Sequence, residues 1–173
     1  MTSQNKQLAH VIGLGLIGSS VALALTNAGW SVTGEDANAS VLSEALERGI
    51  VSNGVLGESH SLVVIATPAG TVGEIANRVL SSVSSNSLLV TDVAGVKDSI
   101  VNSISDRRFL GGHPMAGSEL RGFAGARADL FQGCTWVLSP TDATPPEVYT
   151  ALHSILRELG ASVVAISGHD HDR

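Results

Sequence analysis

Between residues 8 and 167 the chain alternates short apolar runs with amphipathic stretches, joined by connections too short for anything but crossovers. LAHVIG (8–13) leads into LIGSSVALALTNAG (16–29), where Ile17, Val21, Leu25 and Ala28 fall on one helical stripe and Gly29 stops the helix. SVTGED (31–36) and NASVLSEALERG (38–49) repeat the pairing, with Asn38 as cap and Gly49 as stop. SLVVIAT (61–67) is apolar at nearly every position, as a strand covered on both faces must be, and Pro68 ends it before the helix TVGEIANRVLSSV (71–83). SLLVTDVAG (87–95), KDSIVNSI (97–104), RRFLGG (107–112), CTWVLSP (134–140), PEVYTALHSILRELG (146–160) and ASVVAIS (161–167) complete the series. This order predicts an α/β fold: a doubly wound, mostly parallel sheet with helices on both faces.

Composition narrows the partners. Hydrophobic residues make up 43% of the chain but aromatics only 3%, so the expected core is Val, Leu, Ile and Ala. A formal charge of -6, with Arg107-Arg108 the densest basic pair, argues against a nucleic-acid partner. MTSQNKQLAH lacks the pattern of a signal peptide, and no apolar run nears the ~20 residues that span a bilayer. No membrane partner and a cytoplasmic location are therefore expected. Cys134, the single cysteine, excludes an internal disulfide and reads as a small buried filler.

Within VIGLGLIGSS, Gly13-Leu14-Gly15-Leu16-Ile17-Gly18 has the G-x-G-x-x-G spacing. The first glycine serves a tight turn, the second lets a pyrophosphate approach the backbone, and the third lets helix and strand pack closely. The following helix N-terminus offers N–H groups to the phosphates. The loop follows an expected strand and opens an expected helix, and Glu35-Asp36 end the next strand, where an acid accepts hydrogen bonds from the adenosine ribose. Such an acid repels a 2′-phosphate, and no Lys or Arg follows until Arg48, so NAD is expected rather than NADP. Thr67, Pro68 and Asp92 follow two further strands and are candidates for the nicotinamide end, although Asp92 reads equally well as a turn or cap carboxylate.

GGHPMAGSELRG (111–122) holds four glycines, a proline and an alanine in twelve positions. It reads as a rigid loop past the fifth strand, presenting His113 to the same edge of the sheet. An imidazole there can accept a hydroxyl proton as a carbonyl forms.

GLGLIGSS, TDVAGVK and GGHPMAGSELRGF, in this order, resemble the prephenate/arogenate dehydrogenase family of tyrosine biosynthesis, and the resemblance covers essentially the whole chain. It implies an NAD-dependent oxidative decarboxylation of a small-molecule substrate. Prephenate would give 4-hydroxyphenylpyruvate, and arogenate would give tyrosine. It also implies that His113 binds the ring hydroxyl and takes its proton, that Glu119 gates the site, and that Ser118 contacts substrate. Many members carry a serine, hydrogen-bonded to the histidine, where this chain has Gly95, so the orienting hydrogen bond must come from elsewhere.

Family members continue into a helical domain that forms a homodimer and supplies an arginine for a substrate carboxylate. Residues 1–167 are thus expected to be the NAD-binding domain and 168–173 the start of that second domain. His169-Asp170-His171-Asp172 invites a metal reading, but no distant second pair of ligands accompanies it, so no metal site is expected. Two other functions fit the same fold: an NAD-binding sensor without catalysis, and a β-hydroxyacid dehydrogenase-like enzyme.

Overall fold

The computed structural model of the chain describes residues 5–116 and 124–173. Its elements follow the expected order: β1 (Leu8–Ile12), α1 (Leu16–Asn27), β2 (Ser31–Glu35), α2 (Ala39–Glu47), β3 (His60–Ile65), α3 (Ala69–Ser82), β4 (Leu89–Asp92), α4 (Asp98–Ser103), β5 (Phe109–Met115), β6 (Thr135–Ser139), α5 (Pro146–Glu158), β7 (Ser162–Ala165) and α6 (Gly168–His171). The strands form one seven-stranded sheet in the order β2-β1-β3-β4-β5-β6-β7, parallel throughout except where β5 meets β6. The fold is doubly wound and Rossmann-like. The chain leaves β1 for β2 on one side and returns to β3 on the other. This opens a crevice at the carboxyl ends of β1 and β3, where open α/β sheets bind ligands.

The run 61–67 shows why both faces are covered. Leu62 and Val64 of β3 enter a core built with Val21, Ala22 and Leu25 of α1, Ala45 of α2, and Leu152 and Leu156 of α5. Val63 and Ile65, pointing the other way, join Val72, Ala76 and Val79 of α3 and Ile100 and Val101 of α4. Val21 and Leu25 are buried and Ile17 packs against the same core, but Ala28, expected on that stripe, is the exposed C-cap of α1. Asn38 caps α2 as expected, its side chain accepting from the Ser40 amide at 3.0 Å.

The fifth strand corrects the reading of GGHPM as a loop. β5 pairs with β4 only at Phe109 and Leu110, then runs on through His113 to Met115 against antiparallel β6, with His113 opposite Val137. Past Leu110 it has a ladder on one side only, and a proline is tolerated at such a local edge. The paired glycines answer to packing rather than to turning. A Cβ on Gly112 would stand 2.8 Å from the Asp92 carbonyl oxygen and 3.0 Å from Trp136 Nε1. A Cβ on Gly111 would stand 2.8 Å from a Val101 methyl.

Candidate functional site

The glycine loop is built from three distinct steric requirements. Gly13 has φ +91°, and a Cβ there would lie 2.5 Å from the Ala66 carbonyl oxygen, so loop and β3 terminus touch backbone to backbone. A Cβ on Gly18 would fall 1.8 Å from the Gly13 carbonyl oxygen. Gly15 is the opposite case: a Cβ there meets nothing within 4 Å, because the backbone borders open cleft. Gly15 is also the N-cap of α1, with no side-chain cap and no carboxylate in the first turn. That leaves the positive end of a twelve-residue helix facing the cleft. Leu14 is fully buried, while Leu16 and Ile17 are half-buried against the core.

A cavity of about 540 Å³ lies over this loop, bounded by Gly13, Gly15, Glu35, Thr67, Pro68 and Arg78. That volume is within the range of small-molecule and cofactor sites. The two acids at the end of β2 have separate duties. Asp36 braces the loop, one carboxylate oxygen accepting from the Leu14 amide at 2.8 Å and the other from the Asn38 amide at 2.9 Å. Asp36 and Glu35 both border the cavity, and both carboxylate oxygens of Glu35 have partners. His10 beneath it (3.3 Å) and Arg78 beside it (2.7 Å) hold its pKa down at about 2, against the opposing effect of burial.

Arg78 was not legible in the sequence. The first basic residue after Glu35-Asp36 in the sequence is Arg48, whereas α3 carries Arg78 across the cleft and ties it to Glu35. Thr67 and Pro68 line the cavity as expected, Thr67 Oγ1 accepting from Thr71 Oγ1 at 2.9 Å and Pro68 capping α3.

Asp92 is not on the cleft wall. It is fully buried, ion-paired with the equally buried Lys97, and accepts from the Ala94 amide at 3.0 Å and the Gly112 amide at 3.1 Å. The turn-carboxylate reading is the one the structure supports. Burial pushes the Asp92 pKa up and that of Lys97 down, and their mutual attraction opposes both shifts. The pair locks the turn 93–97 to β5, directly behind His113.

His113 is half-buried near the carboxyl end of β5, on the edge of the sheet that carries the glycine loop. Burial, reinforced by the nearby charge of Lys97, lowers its pKa, so the ring is able to accept a proton at neutral pH. Its Nδ1 lies 2.9 Å from Nε2 of His171. Its Nε2 faces Gly95, where a Cβ would stand 3.6 Å away, in ordinary contact. The orienting hydrogen bond missing at Gly95 is therefore replaced, on the other ring nitrogen, by the segment that invited the metal reading. Ser118 and Glu119 lie outside the described residues.

Comparison with known proteins decides the lineage. The family model for the prephenate dehydrogenase nucleotide-binding domain matches residues 21–165. The chain belongs to the prephenate dehydrogenase family. It is 32% identical over 184 aligned positions to the prephenate dehydrogenase of Bacillus subtilis, covering 98% of this chain and 49% of that protein. It superimposes on the crystal structure of A. aeolicus prephenate dehydrogenase in complex with hydroxyphenyl propionate and NAD+ with a TM-score of 0.88 and 29% identity, over 98% of this chain and 63% of that one. The Synechocystis arogenate dehydrogenase structure gives a TM-score of 0.85 and 32% identity, over 95% of this chain and 61% of that one. The chain thus spans about half to two thirds of the length of these family members.

Proposed function

We propose that this chain is the cofactor-binding part of an NAD-dependent enzyme that oxidatively decarboxylates prephenate, or its amino analogue arogenate, in tyrosine biosynthesis. The observation that carries the reading is the placement of His113, half-buried with Nε2 facing Gly95, on the same sheet edge as a glycine-loop cavity in a chain of this family.

The residues fit a dinucleotide. Gly15 leaves room for a pyrophosphate against the backbone, α1 offers its first-turn N–H groups, and Glu35 receives the adenosine ribose hydroxyls. Arg78 is tied to Glu35 rather than free for a 2′-phosphate, and a second carboxylate, Asp36, borders the same cavity, so NAD is favoured over NADP. NAD, when bound, supplies the hydride acceptor. His113 Nε2 accepts the ring hydroxyl's proton as the carbon bearing it loses hydride and becomes a carbonyl. The ring carboxylate leaves as carbon dioxide, its bonding pair entering the ring to complete the aromatic system, and the former carbonyl oxygen takes the proton back from His113 as the phenol hydroxyl. The driving force lies in that aromatisation, and the protein's task is to position and polarise.

Ser118 and Glu119 belong to the same reading, as substrate contact and gate. So do a helical domain starting near residues 168–173, a homodimer formed through it, and a cytoplasmic location. The greater length of the curated relatives supports the second domain, and the absence of a helix long and apolar enough to cross a membrane, among the described residues, accords with that location.

The test is an assay of the full-length protein with prephenate and with arogenate, each with NAD and with NADP. NADH and carbon dioxide are expected in equal amounts from one or both substrates. Reduction of cofactor without carbon dioxide release, or by β-hydroxyacids alone, would contradict the proposal.

A further inference from the structure

The proposed reaction asks one nitrogen of one histidine to be bare at the right moment, and the proton positions around His113 can be worked out from the acceptor end. Asp172 is the fixed point. Its carboxylate accepts from the backbone amides of Lys97 at 2.8 Å and Asp98 at 2.8 Å, at the start of α4, and the hydrogen bond from His171 holds its pKa down at about 2. It is therefore an anion and can only accept. His171 Nδ1, at 2.7 Å from Asp172 Oδ1, must carry a proton and donate it. In a neutral His171 the other nitrogen, Nε2, is then a lone pair. The contact at 2.9 Å between that nitrogen and His113 Nδ1 is a hydrogen bond only if His113 Nδ1 carries the proton. A neutral His113 so constrained has its lone pair on Nε2, the nitrogen that faces Gly95.

We infer that Asp172 and His171 form a relay that fixes the tautomer of His113, making His171 a positioning residue for the proton acceptor. As Nε2 takes the substrate proton, the positive charge is shared between two hydrogen-bonded rings that end on a carboxylate. Without the relay it would sit on one half-buried ring with Lys97 as its charged neighbour. Among the described residues, the groups facing His113 are Lys97, His171 and Asp172, with Asp92 behind Lys97 as that lysine's partner. Of these only Asp172 brings a favourable charge to a protonated ring, and it does so through His171. The relay spans 58 residues of sequence between His113 and His171, and its geometry is rigid: Gly168 at the start of α6 packs so tightly on α4 that a Cβ would stand 3.0 Å from a Val101 methyl and 3.1 Å from Asp98 Cα. The inference rests on the functional reading for what the bare nitrogen does, but the tautomer itself is a property of the protein without substrate.

The experiment is nitrogen-15 NMR of the histidine rings in the full-length protein, wild type and His171→Phe, paired with steady-state kinetics. The wild type is expected to show His113 with Nδ1 protonated and Nε2 bare. In His171→Phe the proton is expected to move to Nε2, the form that free histidine side chains favour, and kcat to fall about 10–100-fold as for other orienting partners of a functional histidine. His171→Gln, whose amide oxygen can take the Nδ1–H, is expected to keep the wild-type tautomer and recover part of the rate, which separates orientation from folding. Asp172→Asn removes the favourable charge, so the acidic limb of the pH–rate profile is expected to move to lower pH. A wild-type His113 protonated at Nε2, or one whose tautomer does not change in folded His171→Phe, would overturn the relay. If the NMR pattern holds but no substrate is turned over, the relay stands and the functional reading falls.

Discussion

Glu35 is the side chain at which the proposed cofactor choice can be tested. Its pKa, held at about 2 chiefly by the His10 hydrogen bond, keeps it charged wherever the protein is folded and active. A depressed carboxylate contributes stability that is complete above the unfolded value near 4.5 and is lost as pH falls toward 2. The charge of Glu35 should therefore contribute equally to cofactor preference at every pH from about 5 upward. Replacing Glu35 with Ser removes the charge that repels a 2′-phosphate and releases Arg78 to meet it. The NADP Kd is expected to fall by about tenfold, worth ~1.4 kcal/mol, while the NAD Kd rises. Calorimetric titration of Glu35→Ser with both cofactors checks this, and an unchanged ratio would place the ribose contact elsewhere. The acid itself was visible from its spacing after the glycine loop. That an arginine 43 residues away is tied to Glu35 was not, because it depends on how α3 crosses the cleft.

At the scale of elements, the strand–loop–helix unit β1–α1 separates folding from binding within six residues. Gly18→Ala drives a Cβ to 1.8 Å from the Gly13 carbonyl oxygen, a backbone clash that relaxes only by moving the helix off the strand. It should lower Tm by several degrees, from an overpacking cost of about 1–3 kcal/mol. Gly15→Ala meets no protein atom, so Tm should hold while NAD affinity drops, because the methyl group occupies the space through which a pyrophosphate nears the backbone. Thermal melts and NAD titrations of the two variants should give opposite patterns. Loss of both properties in both variants would mean that the loop has no spare room.

The same unit was readable in advance because G-x-G-x-x-G, flanked by a strand and a helix, encodes a local geometry. β5 was misread for the opposite reason. Gly111, Gly112 and Pro114 look like turn residues locally, yet their demands come from Asp92, Val101, Trp136 and a change of partner strand, none of them near in sequence.

Over the whole molecule, the sheet gathers into one edge what the chain scatters along its length. The glycine loop sits after β1, Glu35 after β2, Thr67 and Pro68 after β3, and His113 late in β5. Parallel strands with right-handed crossovers bring their carboxyl ends to the same side, so strand order alone foretold that these residues share an edge. It could not foretell the Lys97–Asp92 pair or the His171–Asp172 partners of His113. Those depend on how the turn 93–97 and the short α6 dock against α4 and β5, and docking geometry leaves no periodic trace in sequence.

The central claim is that this shared edge joins a dinucleotide cleft to a single proton acceptor. It is tested most directly by His113→Asn in the full-length protein, measuring NAD affinity and prephenate turnover side by side. Asparagine cannot accept the proton but leaves the cleft untouched. NAD Kd should stay at its wild-type value while kcat falls by about 10²–10⁴-fold, the usual contribution of a general base. Wild-type turnover in His113→Asn would contradict the account.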